Sequence, residues 1–187
     1  MEQPDVARLQ YQYGWALWWA KRHAEAIPWL RKAADQSYSA AQADLAYAYR
    51  DDPAVSGYPS RSETMSEAYR LVRLAVEQGN TIAMGDLGTH LMHGVGVKRD
   101  YGAAISWLRR AIEHDDRYAK AHLGEMYKNG WGVPQDDAEA VKWFRASADQ
   151  GYRGGQYNLA LMLLQGRDRA ERMGACPAWR RDTAVGR

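Results

Sequence analysis

Residues 83–107 read AMGDLGTHLMHGVGVKRDYGAAISW, and residues 119–143 read AKAHLGEMYKNGWGVPQDDAEAVKW. Laid over each other, Leu87-Gly88, Gly94, Gly96-Val97, Asp100, Ala104 and Trp107 fall on Leu123-Gly124, Gly130, Gly132-Val133, Asp136, Ala140 and Trp143, each pair 36 residues apart. A shift that stays constant over so many Gly and Trp positions is the mark of stacked structural units, each too small to bury a core by itself. Within a unit, Ala, Leu and an aromatic residue or Leu recur at i, i+4 and i+8, then Ala104, Trp107, Leu108 and Ala111 form a second set at helical spacing. Both sets lie along one side of a helix. The unit is therefore read as two antiparallel helices, with small residues allowing close approach and the Trp filling the space between layers.

The register runs in both directions from this pair. Downstream, Leu159, Leu163 and Gly166 lie 36 residues beyond Leu123, Tyr127 and Gly130, but Asp168 and Arg169 then depart from the pattern. Upstream, Ala41, Leu45 and Tyr49 match Ala83, Leu87 and Leu91, and Ala68, Leu71 and Gly79 match Ala104, Trp107 and Asp115, with six extra residues in the connection. The first unit places Tyr13-Gly14 at the Leu-Gly position and has a connection four residues shorter than those of units three and four. Four units and a partial fifth span residues 5–166. Asp100 and Asp136 stand where second helices need an N-cap, and Gly79 and Gly151 where helices end with positive φ.

At these residues the pattern resembles the Sel1-like repeat, a relative of the tetratricopeptide repeat with a glycine-bearing loop between its helices. The resemblance rests on Ala83, Leu87-Gly88, Gly94-Val95-Gly96-Val97, Asp100, Ala104 and Trp107, and on Ala119, Leu123-Gly124, Tyr127, Gly130-Trp131-Gly132-Val133, Asp136, Ala140, Trp143, Ala148 and Gly151. It implies an all-α, α/α superhelical solenoid with a concave groove, and a role as a bacterial adaptor, scaffold or immunity-type protein. The partner it implies is another protein, such as a secreted toxic enzyme or a component of an envelope or secretion assembly.

If the first helices line the groove, offsets from the Leu of each unit give its lining. Unit one supplies Tyr11, Trp15, Trp18 and Trp19; unit two supplies Tyr47 and Arg50, with Arg8 nearby. Aromatic residues and Arg most often anchor interfaces, so this N-terminal cluster is the expected partner-binding site. The same aromatics at an array end would otherwise cap the first layer. The insertion from Asp51 to Thr64 adds Tyr58, between Gly57 and Pro59, as a further candidate contact on a projecting loop.

Other chemistry is set aside on the same residues. Gly94-Val95-Gly96-Val97-Lys98 lacks the third glycine and the preceding strand of a dinucleotide loop and recurs in the next unit. His90 and His93 share a helix face without further ligands at metal spacing, so no metal or cofactor is expected. Asp115-Asp116 and Asp136-Asp137 fit helix capping, and the chain is read as a non-enzyme. The formal net charge is +2, and the basic runs are short and accompanied by acids, which argues against nucleic acid as a partner. Cys176 is the only cysteine, so no intrachain disulfide forms. No apolar run reaches membrane-spanning length and no signal peptide is read, so the chain is expected in the cytoplasm, or in the periplasm if a leader has been removed from the sequence. Residues 167–187, with six Arg against three acids, are expected to be a solvated, disordered tail. A self-associating scaffold, pairing through Leu159, Leu161 and Leu164 of the incomplete fifth unit, is the alternative function.

Overall fold

The computed structural model describes residues 5–167, which are helical with no strand among them. They fall into two units, Met1–Asp116 and Arg117–Arg187. The first carries α1 (Val6–Trp19), α2 (His23–Asp35), α3 (Ser39–Asp51), a short 3-10 helix (Pro53–Ser56), α4 (Arg61–Glu77), α5 (Thr81–His93) and α6 (Tyr101–Glu113). The second carries α7 (Arg117–Asn129), α8 (Asp137–Ala148) and α9 (Arg153–Leu164). Helices pack in consecutive hairpins, α1 on α2, α3 on α4, α5 on α6 and α7 on α8, with α2 against α3, α4 against α5 and α8 against α9.

Five of the helix starts have a local cause in a side-chain cap. Asp5, Ser60, Asn80, Asp100 and Asp136 cap their helices, each accepting from backbone N–H groups in the first turn. Hairpins end at Ser37, Gly79, Asp115 and Gly151, one per unit, all with φ between +62° and +80°. Glycine adopts that conformation freely; Ser37 and Asp115 hold it against the usual steric cost.

The layers meet through small residues. Ala26, Ala33, Ala41, Ala68, Ala75, Ala83, Ala104 and Ala111 are completely buried, and Leu30 and Leu108 fill the space they leave. A Cβ added at Gly14 would stand 3.0 Å from Leu30, one at Gly88 2.8 Å from Leu108, and one at Gly124 3.0 Å from Phe144. The Gly14 to Leu30 separation is 16 residues and the Gly88 to Leu108 separation is 20, so the first connection is four residues shorter, as the repeat register requires. In the second unit Ala140, Val141, Phe144 and Met162 form the core, with Tyr127 and Leu159 packed on it.

Three expectations change. The Trp position is not the deepest in the second helix: Trp29, Trp107 and Trp143 are half-buried, with Lys32, Arg110 and Lys142 over their rings, while the next residue of each helix goes to the interior. The insertion is structured, not a free loop. Asp52 caps the 3-10 helix, and Ser56 is buried and bonded to Thr64, which already belongs to α4. Arg31 of α2 donates to the Ser56 carbonyl at 2.8 Å and to the Tyr49 hydroxyl at 2.6 Å. Finally, Arg167 is part of the array: its guanidinium makes a two-point ion pair with Asp137, with Nε to Oδ2 at 2.7 Å. The rest of the expected tail lies outside the described residues. No helix among the described residues is long and apolar enough to cross a membrane.

Candidate partner-binding face

The first helices of the Met1–Asp116 unit each carry a row of side chains, with Trp15 and Tyr47 at the same place of the repeat. Tyr11, Trp15 and Trp19 follow one another by single turns on α1. Asp44, Tyr47 and Arg50 do so on α3, and Asp86 occupies on α5 the place that Asp44 holds on α3. Polar contacts join the rows. Tyr11 donates its hydroxyl to Asp44 Oδ2 at 2.8 Å, and Arg50 Nη1 donates to Asp86 Oδ1 at 3.1 Å. Arg50 also lies 5.5 Å from the centroid of the Tyr47 ring.

The aromatic rings form a connected row. Tyr11 stands 5.1 Å from Tyr38 at the start of α3 and is stacked with Trp15 at 6.5 Å; Trp15 meets Trp19 edge to face at 5.9 Å. Trp19 is 71% exposed and Tyr47 42%, while Tyr11 and Trp15 are half-buried. Exposed rings held by their neighbours on rigid helices lose little entropy when covered, which suits them to an interface.

Burial shapes the electrostatics of this face. The Asp44 carboxyl titrates above its ordinary range because it is partly desolvated and close to Asp86, despite the bond from Tyr11. The Tyr11 phenol is also pushed up, by burial first and then by Asp44. Beneath the face, His90 is fully buried, with Nδ1 2.8 Å from the Val95 carbonyl. A carbonyl only accepts, so Nδ1 carries the proton, and burial holds the imidazole below its usual pKa.

Among the residues expected to bind a partner, Tyr11, Trp15, Trp19, Tyr47 and Arg50 come together here. Trp18 does not join them. It is 8% exposed and stacked on His23 at 3.9 Å, so it is part of the packing between α1 and α2. Its counterpart in unit three, Met92, is buried too. Arg8 is exposed in the first turn of α1, where its backbone N–H is capped by Asp5. Tyr58 stands apart with the insertion, edge to face with Tyr49 at 6.0 Å and under the Arg31 guanidinium. Beside it an open cleft of about 400 Å³ runs between α2 and the insertion, lined by Ile27, Pro28, Arg31, Lys32 and Val55. Sequence reasoning missed Asp44 and Asp86, although the repeat register places an acid one residue before the Leu in both units.

A stack of α-helical hairpins with buried alanines and an aromatic outer face defines a helical-repeat protein. The Sel1 repeat model matches residues 7–38, 39–80, 81–116, 117–152 and 154–172, and the chain belongs to the Sel1 repeat family. It shares the α/α solenoid fold of solved relatives. A Sel1 repeat protein from Oxalobacter formigenes is 30% identical with a TM-score of 0.70, covering 88% of this chain and 66% of that one. The c5321 protein, a protective antigen present in uropathogenic Escherichia coli strains, is 31% identical with a TM-score of 0.68, covering 86% of this chain and 34% of that one. A Sel1 repeat protein from Klebsiella pneumoniae is 27% identical with a TM-score of 0.64, covering 86% and 76%. The chain thus spans less than two thirds of the first two relatives. No curated protein sequence matches it. Sel1 repeat proteins generally mediate protein–protein interaction.

Proposed function

We propose that the chain is an adaptor that holds a segment of one partner protein on the face formed by α1, α3 and α5. The observation that supports this reading is the row Tyr11, Trp15 and Trp19 on α1 with Tyr47 beside Arg50 on α3, of which Trp19 and Tyr47 are exposed although each ring is held by a neighbour. Where the partner is a toxic enzyme, the same occupancy makes the chain an immunity-type antagonist. Assay of the partner's activity with and without the chain distinguishes the two roles.

The test is affinity capture with the wild type and a Trp15→Ala, Trp19→Ala double variant. Circular dichroism checks that both are folded. Trp19 is a surface residue, so its loss is expected to change stability by less than about 0.5 kcal/mol, whereas loss of an aromatic anchor weakens binding by about 2 kcal/mol or more. A partner captured by the wild type alone, at equal helical signal, is the expected result. The same partner captured equally by both proteins would overturn the assignment of this face.

A further inference from the structure

Asp44 is a half-buried acid on this face whose charge is not answered. Its Oδ2 accepts the Tyr11 hydroxyl, while Oδ1 has no hydrogen-bond donor and the carboxylate no cationic partner among the described residues. Arg50, the cation on α3, is already committed to Asp86 and to the Tyr47 ring. Asp86 adds a second negative charge near Asp44, which raises the cost of ionising it. A partly desolvated carboxylate without a counter-ion is unfavourable in the free protein and becomes favourable once a cation arrives. The surroundings suit a particular cation. Tyr11 bonds to Asp44, Trp15 follows Tyr11 by one turn on α1, and Tyr47 follows Asp44 by one turn on α3. The faces of such rings attract cations, and a guanidinium both stacks on a ring and donates to a carboxylate, which a compact ammonium does less well.

We propose that the partner segment held on this face carries an arginine whose guanidinium donates to Asp44 Oδ1 beside the rings of Tyr11, Trp15 and Tyr47. This rests on the reading of the face given above and specifies its occupant by charge complementarity. Asp44 is acidic and no cation of the described residues pairs with it, and the rings are electron-rich where a planar cation would lie.

A random dodecapeptide library displayed on phage, selected in parallel on full-length wild type, Asp44→Asn and Trp15→Ala proteins, tests the proposal. Asn at position 44 still accepts from Tyr11, so the fold is retained, and circular dichroism verifies it. Arginine is expected to be enriched among peptides selected on the wild type. A synthetic selected peptide should bind Asp44→Asn at least ten-fold more weakly, and its citrulline analogue should bind the wild type more weakly by the same factor. Enrichment of acidic or purely apolar peptides, no enrichment at all, or undiminished binding to Asp44→Asn overturns the proposal. If Trp15→Ala abolishes binding while Asp44→Asn does not, the face stands and the arginine falls. If neither substitution matters, both fall.

Discussion

Replacing Gly88 by Ala tests why the Leu-Gly pair recurs in the repeat. The new Cβ would lie 2.8 Å from Leu108 Cγ, 2.9 Å from its Cδ2 and 3.3 Å from the Ala104 carbonyl oxygen, all inside ordinary carbon contact. Overpacking of a filled core costs about 1–3 kcal/mol, and the better helix propensity of Ala returns about 1 kcal/mol, so a net loss of about 1 kcal/mol is expected. Leu108→Val alone removes a methylene from a completely buried side chain and costs about 1 kcal/mol. Together the two changes relieve each other. The added methyl enters the space Leu108 vacates, and the double variant should be within about 0.5 kcal/mol of wild type, a coupling of about 1.5–2 kcal/mol. Unit two already contains this combination: Ala46 stands at the Gly position and Val72 at the Leu108 position, both buried. Urea unfolding of the four proteins by circular dichroism at constant m-value measures the coupling. Additivity within about 0.5 kcal/mol would refute the claim that these two positions exchange volume.

Gly96→Ala should be far more damaging, because its Cβ would meet the Met65 carbonyl oxygen at 2.0 Å and φ is +70°; a loss above about 3 kcal/mol is expected by urea unfolding. Arg31→Ala removes the bonds to Tyr49 and Ser56 and should cost about 2 kcal/mol while making residues 52–60 susceptible to proteolysis. An unchanged digestion pattern would show that the insertion is held by other contacts. His90 gives a pH dependence of known sign. Buried and held neutral, with Tyr69, Arg50 and Asp86 as its ring and charge neighbours, it binds a proton less readily folded than unfolded. Its contribution is therefore whole above the ordinary imidazole range and is lost as pH falls below about 6.5. The melting temperature of the wild type should drop more steeply from pH 7 to 5 than that of His90→Gln; parallel slopes would count against this role.

The hairpins and their register were legible because repetition multiplies weak local signals. One Leu-Gly pair means little, but the same pair 36 residues on, with Ala and Asp in step, fixes where each helix faces and even the connection lengths. The outer face was legible only in part. Trp18 and Trp19 are adjacent on one helix, about 100° apart around its axis, and composition alone does not say which turns outward; the register does not decide it either, since the place of Trp18 is held by Arg50 in unit two and by Met92 in unit three. Nor could sequence show that Asp44 lacks a counter-ion. That depends on Arg50 turning to Asp86, a pairing 36 residues apart made only when α3 and α5 lie side by side. The anchoring of the insertion by Arg31 is of the same kind, since the side chain comes from the preceding unit.

The contact between Gly96 and Met65 bears on how such a chain can be lengthened or rearranged. The glycine loop of unit three closes on the first turns of α4 in unit two, and the insertion of unit two closes on Arg31 in unit one. These two connections are thus cut to the hairpin before them, whereas the first connection is short and has neither device. Hairpins of this chain are accordingly not interchangeable cassettes. A duplicated or transplanted one would keep its seat only if its connection travelled together with the second helix of its predecessor, so recombination that preserves the fold is expected to break the chain inside hairpins and not between them.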